Sequence, residues 1–287
     1  MSFKNKGGQY KMKKGLLKKL FATTLVGAMA ISMVACGGED AGEKDALTKI
    51  KEKGELTVGM SVDYAPYEFF VMENGKKKMV GMDLEILKEV AKDIGVDFKV
   101  EEMEFKGICT AVQAGQVDIG LSGLSPDEKR RELVDFSDIY FEAEQGILIN
   151  KKDASKIKKL EDLKGLKVGA QLGSIQADIA NTIPDVKTKF LEEVPVLIQD
   201  LLAGNLDAVI VELPVADVQS VIHPELARAE EKVQDEAGGG SAIAVPKDQK
   251  ALLDQINKTI KRLIDEEKID SFYKDAVELS KSEVVGE

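Results

Sequence analysis

The sequence predicts an α/β fold of two similar lobes, each a mixed sheet flanked by helices, joined by two chain crossings. Strand and helix patterns alternate from Leu47 onward, which is typical of βαβ units. Segments 112–123 and 201–212 share one order: helix end, Ala-Gly, Asp, buried strand, polar residue. Segments 140–150 and 238–246 have the extended pattern or the glycines of connections between lobes.

The first 35 residues have the composition of a targeting segment rather than of a folded element. Residues 4–19 are basic, and the apolar run 20–34 is shorter than the ~20 residues of a membrane span. Small residues precede Cys36 and glycine follows it, which resembles a bacterial lipoprotein signal and implies lipidation of Cys36. The alternative is an ordinary secretory signal with an incidental cysteine. Residues 36–46 are expected to be a flexible tether, and Met12 is an alternative start to Met1.

Charge and cysteine usage exclude several classes of partner. The net charge is −11, and because residues 1–35 carry seven Lys and no acid, the rest carries −18. Such an acidic body does not favour nucleic acid or anionic lipid. Beyond Cys36 only Cys109 remains, so the exported domain has no internal disulfide. Cys109 lies on an apolar helical face and is predicted to be a buried, inert thiol.

The first lobe begins with a strand over residues 55–60 and a loop that becomes extended by residue 71. Glu73, Asn74 and Gly75 are typical of a hairpin turn. An amphipathic helix follows, with Asp83 as its cap and Gly95 as its end. The remaining predicted elements of this lobe are the strand 97–102, the helix 106–114 and the strand 117–121.

The second lobe repeats this order after a turn at Gly165. Its predicted strands are 167–170, 187–190 and 207–211, and its predicted helices are 173–180 and 194–202. The two C-terminal helices, 251–265 and 268–280, are expected to pack back on the first lobe.

The segment 122–137 joins a strand end to a helix and has the residues of an anion site. Ser125 is predicted to be the N-cap, Pro126 the first helical residue and Glu128 the partner in a capping box. Arg130 follows one turn later. Backbone N–H donors and a guanidinium together bind a small carboxylate. The alternative is an ordinary strand–turn–helix junction with an exposed arginine.

Four predicted strand ends carry polar residues. In open α/β sheets, ligands bind beyond the carboxyl ends of the strands. If the lobes face each other, the polar residues at these ends converge on one cleft; they are Ser61, Ser122–Gly123, residues 171–174 and Glu212.

The order of motifs resembles one family along residues 47–287. The motifs are, in chain order, Val-Gly-Met-Ser-Val-Asp-Tyr-Ala-Pro-Tyr-Glu-Phe at 58–69, Val-Gly-Met-Asp-Leu at 80–84, Ala-Gly-Gln-Val-Asp-Ile at 114–119 and Val-Asp-Phe-Ser at 134–137. The chain is similar to the polar amino-acid-binding proteins of bacterial ABC importers, solute-binding family 3. The resemblance implies the type II periplasmic-binding-protein-like fold, with lobe 1 formed by 47–142 plus 239–287 and lobe 2 by 143–238.

The resemblance also implies partners and location. A free polar L-amino acid is bound between the lobes and delivered to the transmembrane subunits of an ABC permease. The protein is expected to be a monomer on the extracytoplasmic face of a Gram-positive type cell membrane, attached by its lipid anchor only. No cofactor, metal or catalytic residue is expected.

The resemblance assigns the two ends of the ligand. Arg130 forms the salt bridge to the α-carboxylate, with Arg131 pointing away, and Glu212 binds the α-ammonium group. The other contacts it implies to these two groups are Ser125, the backbone at Ser122 and Gly123, Ser174, and the N–H of Ile175, since many relatives have Thr in place of Ile175.

Three further positions are implied to face the ligand side chain. Tyr64 and Phe105 flank it. Ser61 replaces an acid that some relatives use to bind basic amino acids, which counts against a strict preference for Lys, Arg or ornithine. The missing charge leaves glutamine and other polar or neutral amino acids open, and a basic amino acid also stays open, because Asp63 lies close enough to restore a carboxylate.

Two rival functions need features that the sequence supports less well. An exported enzyme on this fold, such as a cyclohexadienyl dehydratase, needs a positioned acid or base, for which Glu212 and Glu68 are the candidates. An amino-acid sensory domain needs a fused signalling segment. The lone histidine, His223, does not support a metal site or a histidine-based triad.

Overall fold

The structure, a computed structural model, describes residues 45–233 and 239–281. The predicted signal segment, Cys36 and Gly238 lie outside the described residues, as does the tether apart from Asp45 and Ala46. No helix in the described ranges has both the length and the apolar character of a membrane span.

The strands of the described residues alternate with the helices for most of the chain. They are β1 (Glu55–Met60), β2 (Phe69–Glu73), β3 (Lys76–Val80), β4 (Asp97–Glu102), β5 (Ile119–Gly120), β6 (Asp135–Phe136), β7 (Phe141–Glu142), β8 (Gln145–Asn150), β9 (Lys167–Gln171), β10 (Lys187–Leu191), β11 (Ala208–Glu212), β12 (Leu226–Arg228), β13 (Gly240–Ser241) and β14 (Ala244–Val245).

The helices are mostly short, and the two longest end the described chain. They are α1 (Ala46–Lys53), α2 (Met82–Ile94), α3 (Ile108–Gln113), α4 (Glu128–Leu133), α5 (Ile175–Thr182), α6 (Val194–Leu202), α7 (Leu213–Ile222), α8 (Lys250–Asp265) and α9 (Lys268–Lys281). Short 3₁₀ turns lie at Phe105–Gly107, Lys151–Asp153 and Leu160–Leu163.

Two five-stranded sheets divide the described residues into two lobes. The first lobe has the strand order β4-β1-β5-β14-β6 and the second β10-β9-β11-β8-β12. In each sheet three neighbouring strands are parallel and the fourth is antiparallel to both of its neighbours. The same order and directions in both sheets confirm the predicted pair of similar α/β lobes.

The two chain crossings run side by side. Strand β7 pairs antiparallel with β13, with Gly240 opposite Glu142 and Ser241 opposite Phe141. This small sheet belongs to neither of the large sheets. A bend at this paired segment would therefore move one lobe against the other.

The C-terminal helices pack on the first lobe, as predicted, because α8 and α9 both contact α2. Helix α9 also contacts α7 of the second lobe. Ala276 and Val277 of α9 share a small apolar cluster there with Val218 and Ile222. The end of the described chain thus contributes an apolar contact between the lobes.

Two predicted helix caps are wrong. Helix α2 is capped by Gly81, whose φ of 131° favours glycine, and Asp83 lies inside the first turn and is buried. Helix α4 is capped by Asp127, whose carboxylate accepts a hydrogen bond from Arg130 N at 2.8 Å. Ser125 and Pro126 precede that helix, so Ser125 and Glu128 do not form a capping box. An N-cap side chain accepts from a backbone N–H of the first turn, and in α4 Asp127 does so.

Candidate functional site

A small, narrow cavity lies where the two lobes face each other. Both sheets direct their strand ends toward it, as expected for α/β folds. The residues that line it are Tyr64, Phe105, Gly123, Ser125 and Arg130 from the first lobe, and Gln171, Ile175, Gln176 and Glu212 from the second.

The structure brings together seven of the ten side chains or backbone positions that the sequence selects for this site, and places Ser61, Ser122 and Ser174 outside the cavity lining. Gln171 and Gln176 line the cavity without having been selected. Gln171 belongs to a strand end that the sequence marks as polar. Gln176 carries no such signal, since it lies within a helical turn.

Arg130 is held rigidly at the cavity, with its side chain 11% exposed. Its Nη1 donates to the Ser125 carbonyl at 2.8 Å, and its Nη2 donates across the lobes to the Gly173 carbonyl at 3.1 Å. Its Nε lies 3.2 Å from Asp127 Oδ2, and its guanidinium lies 4.9 Å from the centre of the Phe105 ring. These contacts fix a positive charge where the lobes meet.

Glu212 places a negative group in the same cavity from the second lobe. It ends β11 and is 1% exposed. Its backbone N–H donates to the Tyr64 hydroxyl at 2.9 Å, which joins it to the first lobe. Burial raises the pKa of Tyr64 and Tyr67 well above the usual range, and the charge of Glu212 adds to that rise. Both tyrosines are therefore neutral hydroxyls beside this carboxyl group.

The N-terminus of α5 also faces the cavity. Ser174 is its N-cap: Ser174 Oγ accepts from Ala177 N at 3.1 Å and donates to the Gln171 carbonyl at 2.7 Å. The Ser174 side chain is thereby used in capping. Ile175 and Gln176 line the cavity from the first helical turn, where backbone N–H groups and the helix dipole favour an anion.

The turn at Ser122 and Gly123 is supported from below. Ser122 Oγ donates to Glu68 Oε1 at 2.7 Å and accepts from Ser61 N at 3.0 Å. Gly123 has φ of 55°, and its N–H donates to Asp83 Oδ2 at 2.8 Å. The Ser122 hydroxyl therefore supports the turn, and only Gly123 reaches the cavity.

Asp63 connects the first lobe to the second beside the cavity. Its carboxylate accepts from Val194 N at 2.8 Å, from Ser61 Oγ at 3.0 Å and from Gln171 Nε2 at 3.3 Å. Burial raises the pKa of Asp63, against these hydrogen bonds. Ser61 and Asp63 line a neighbouring, more open groove, so Asp63 is one hydrogen bond away from the cavity through Gln171.

The two lobes touch at the rim of the cavity as well. Lys129 pairs with Asp178 across the lobes, 2.7 Å apart, and Lys106 pairs with Glu192. Together with the contacts of Arg130, Tyr64 and Asp63, these pairs show a closed arrangement of the lobes. Exposed pairs of this kind contribute little to stability, because solvent screens their charges.

Chemistry other than binding finds little support among the described residues. Within 45–233 and 239–281, no group of His, Cys, Asp and Glu side chains is arranged to hold a metal ion. Cys109 is buried, and burial raises the pKa of its thiol to about 11. A thiol with that pKa is a poor nucleophile at neutral pH.

Comparison with known proteins gives a consistent set of relatives. The family described as bacterial extracellular solute-binding proteins, family 3, matches residues 56–277. The arginine-binding extracellular protein ArtP of Bacillus subtilis is 35% identical over 269 residues, 90% of this chain and 97% of that protein. The ABC transporter glutamine-binding protein GlnH of Bacillus subtilis is 31% identical over 272 residues, with the same coverages of 90% and 97%.

A solved structure agrees with this set. The amino acid ABC transporter substrate-binding protein AbpA from Streptococcus pneumoniae, in a crystal structure bound to L-arginine, superposes with a TM-score of 0.79 at 35% identity. The match covers 81% of this chain and 98% of that chain.

Proposed function

We propose, from the premise that this chain belongs to the bacterial extracellular solute-binding proteins of family 3, that it captures a polar L-amino acid between its lobes, with L-arginine preferred. The chain is an amino-acid-binding protein of the ABC transport type and, like its relatives, not an enzyme. The choice of arginine, the residues that bind it and the manner of delivery are the proposal.

One observation carries the proposal: Arg130, with a side chain only 11% exposed, and the buried Glu212 are of opposite charge and line one cavity from different lobes. An α-amino acid carries a carboxylate and an ammonium group on the same carbon. Such a zwitterion matches one buried cation and one buried anion at once, and buried charges are stabilised when they are paired.

The carboxylate end would be bound by Arg130, the Ser125 hydroxyl and the backbone N–H of Ile175. The dipole of α5 adds to this attraction. The ammonium end would be bound by Glu212 and by the carbonyl of Gly123, since the Gly123 N–H is already donated to Asp83. Ser122 and Ser174 would act indirectly, by holding the turn and capping the helix.

The side chain of the ligand would run between Tyr64 and Phe105 toward Gln171 and Asp63. A guanidinium has five N–H donors and needs acceptors, which the amide of Gln171 and the carboxylate of Asp63 supply. Relatives named as arginine-binding and glutamine-binding support a polar ligand of this length. Arginine is preferred in this proposal because Asp63 adds a negative charge where glutamine needs none.

Ligand capture would involve closure of the lobes about the paired strands β7 and β13. The proposed lobes are 47–142 plus 239–287 and 143–238. Because each lobe supplies half of the contacts, the ligand binds the closed form better and shifts the population toward it.

The family is extracytoplasmic. We further propose that Cys36 carries the lipid anchor on the outer face of the cell membrane, that the protein is a monomer attached only through this anchor, and that the transmembrane subunits of an ABC permease receive the ligand. Replacement of Cys36 by serine would release the protein into the medium if this anchor is correct.

Calorimetry on purified residues 37–287 tests the site. A thermal-shift screen against the common amino acids selects ligands, and titration then compares wild type with Arg130→Ala. We expect a loss of about 100-fold or more for the tightest ligand, because a desolvated charge pair is removed. Arg131→Ala is the matched control, since Arg131 is exposed on the same helix, and it should bind like wild type. Wild-type affinity in Arg130→Ala would contradict the proposal.

A further inference from the structure

Two carboxyl groups lie buried together beneath the turn that reaches the cavity. Glu68 is 1% exposed and Asp83 is 0% exposed. Glu68 precedes β2 and Asp83 lies in the first turn of α2, so the fold rather than the local sequence brings them together. They hold one turn between them: Glu68 Oε1 accepts from Ser122 Oγ at 2.7 Å, and Asp83 Oδ2 accepts from Gly123 N at 2.8 Å.

The hydrogen bonds show which carboxyl group carries the proton. The Asp83 carboxylate accepts from two donors. Gly123 N lies 2.8 Å from Asp83 Oδ2, and the Tyr140 hydroxyl lies 2.9 Å from both Asp83 Oδ1 and Asp83 Oδ2. Glu68 Oε1 accepts from Ser122 Oγ, whereas Glu68 Oε2 has no donor among the described residues. Donors stabilise a carboxylate, so Asp83 is the better stabilised anion and Glu68 is the group that retains its proton to higher pH.

The charges around the pair oppose a second ionisation. Burial raises the pKa of Glu68 well above its usual range, and the negative charges of Asp83 and, more weakly, Asp63 raise it further. Burial raises the pKa of Asp83 to about 6, against the donors from Gly123 and Tyr140. The other ionisable groups that face this pocket are Tyr140, Tyr64, Tyr67 and Glu212, all of them acids. Near neutral pH the pair therefore carries a single negative charge.

We infer that the Glu68–Asp83 pair positions the ligand-binding turn: in its singly charged state it fixes Ser122 through Glu68 and Gly123 through Asp83, which sets the Gly123 carbonyl for the ammonium group of the ligand. The inference rests on the proposed function, since it concerns the same cavity. Tyr140, one residue before β7, ties the pair to the crossing between the lobes.

Loss of the proton from Glu68 should lower both ligand affinity and stability. Two adjacent buried carboxylates repel each other, so the turn loosens and ligand affinity falls as pH rises through the raised pKa of Glu68. Stability follows the same sign. Because the folded state holds this proton more tightly than the unfolded state, the contribution of Glu68 to stability is present at low pH and is lost as pH rises.

The test compares wild type, Glu68→Gln, Glu68→Ala and the surface control Glu85→Gln by calorimetry with L-arginine from pH 6.5 to 9.0. Glutamine at position 68 donates an N–H to Asp83 and accepts from Ser122 without titrating, so Glu68→Gln should match wild type at pH 6.5. The ratio of the wild-type Kd to the Glu68→Gln Kd should then grow with pH. Glu68→Ala should bind about tenfold more weakly than Glu68→Gln at every pH, because it lacks the acceptor for Ser122, and Glu85→Gln should follow wild type.

The inference is overturned if Glu68→Ala binds like wild type, if Glu68→Gln loses as much as Glu68→Ala, or if the Kd ratio is constant with pH. If wild type does not bind L-arginine, the proposed ligand is wrong, and the Glu68–Asp83 pair is then tested by thermal unfolding without ligand. In that case the melting temperature of Glu68→Gln minus that of wild type should rise from pH 6.5 to 9.0, and a constant difference overturns the inference.

Discussion

Asp63 supplies the carboxylate that Ser61 does not. The Ser61 hydroxyl donates to Asp63, and Asp63 in turn accepts from Gln171 of the other lobe. A sequence comparison at position 61 alone argues against a basic ligand. The structure places a partly buried acid, Asp63, two residues later and beside the cavity, and the proposed preference for arginine rests on this acid.

Asp63→Asn should therefore weaken the binding of L-arginine more than the binding of L-glutamine. We expect about a tenfold loss for arginine, because a charge-assisted hydrogen bond becomes a neutral one, and a loss below about threefold for glutamine. Calorimetry with both ligands measures the difference, and exposed Asp97→Asn is the control for loss of one acid. Equal losses for the two ligands would mean that Asp63 acts only by joining the lobes through Val194.

Three serines show what the sequence alone does not reveal at this scale. Ser61, Ser122 and Ser174 all follow strands that end at the cavity, which is why they were expected to bind ligand. In the structure each hydroxyl donates a hydrogen bond to a protein group: Ser61 to Asp63, Ser122 to Glu68 and Ser174 to the Gln171 carbonyl. The direction of a hydroxyl depends on neighbours distant in sequence, so spacing along the chain does not predict it.

At the level of elements, α4 is a six-residue helix that carries Arg130. Its cap, Asp127, contacts both the backbone N–H and the Nε of Arg130. Such a short helix has little stability of its own. The cap therefore affects ligand binding as well as folding.

Asp127→Ala should lower the melting temperature and weaken ligand binding about fivefold, since loss of an N-cap costs ~1 kcal/mol. Asp127→Asn keeps the capping oxygen and should recover most of the stability. Ser125→Ala should cost less stability than Asp127→Ala, because Ser125 lies outside the helix. Calorimetric unfolding without ligand checks the order, and a larger loss in Ser125→Ala would restore Ser125 as the cap.

Regular elements were predicted well, and their ends less well. The strands Glu55–Met60 and Asp97–Glu102 and the helix Val194–Leu202 have the predicted bounds, because their apolar pattern and flanking turns leave one choice. The start of α4 had two suitable caps, Ser125 and Asp127. In the structure Asp127 accepts from Arg130 N and caps the helix, whereas the Ser125 carbonyl accepts from the Arg130 side chain.

For the molecule as a whole, the two-lobed layout could be predicted because the chain repeats its strand–helix order. The closed arrangement could not, because it depends on pairs such as Lys129 with Asp178 and on the apolar contact of α9 with α7. Neither pair of partners has a pattern in the sequence. The buried Glu68–Asp83 pair is likewise visible only once α2 and the first strands are packed.

In the proposed binding mode, Arg130 and Glu212 form a clamp on the two ends of the amino acid, with one charge from each lobe. Arg130 belongs to the first lobe and Glu212 to the second, and both line the cavity. A ligand with both an ammonium and a carboxylate group contacts both lobes at once. A ligand without the carboxylate leaves Arg130 with its protein partners, Asp127 and two backbone carbonyls, so it gains less from closure.

The most direct test of this clamp compares L-arginine with agmatine, its decarboxylated analogue, in wild type and Arg130→Ala by calorimetry. Wild type should prefer arginine by about 100-fold, as expected for a buried charge pair. In Arg130→Ala this preference should fall to about tenfold or less, because only the neutral donors of Ser125 and Ile175 still distinguish the two ligands. If Arg130→Ala still prefers arginine as strongly as wild type does, Arg130 does not bind the α-carboxylate and the clamp is wrong.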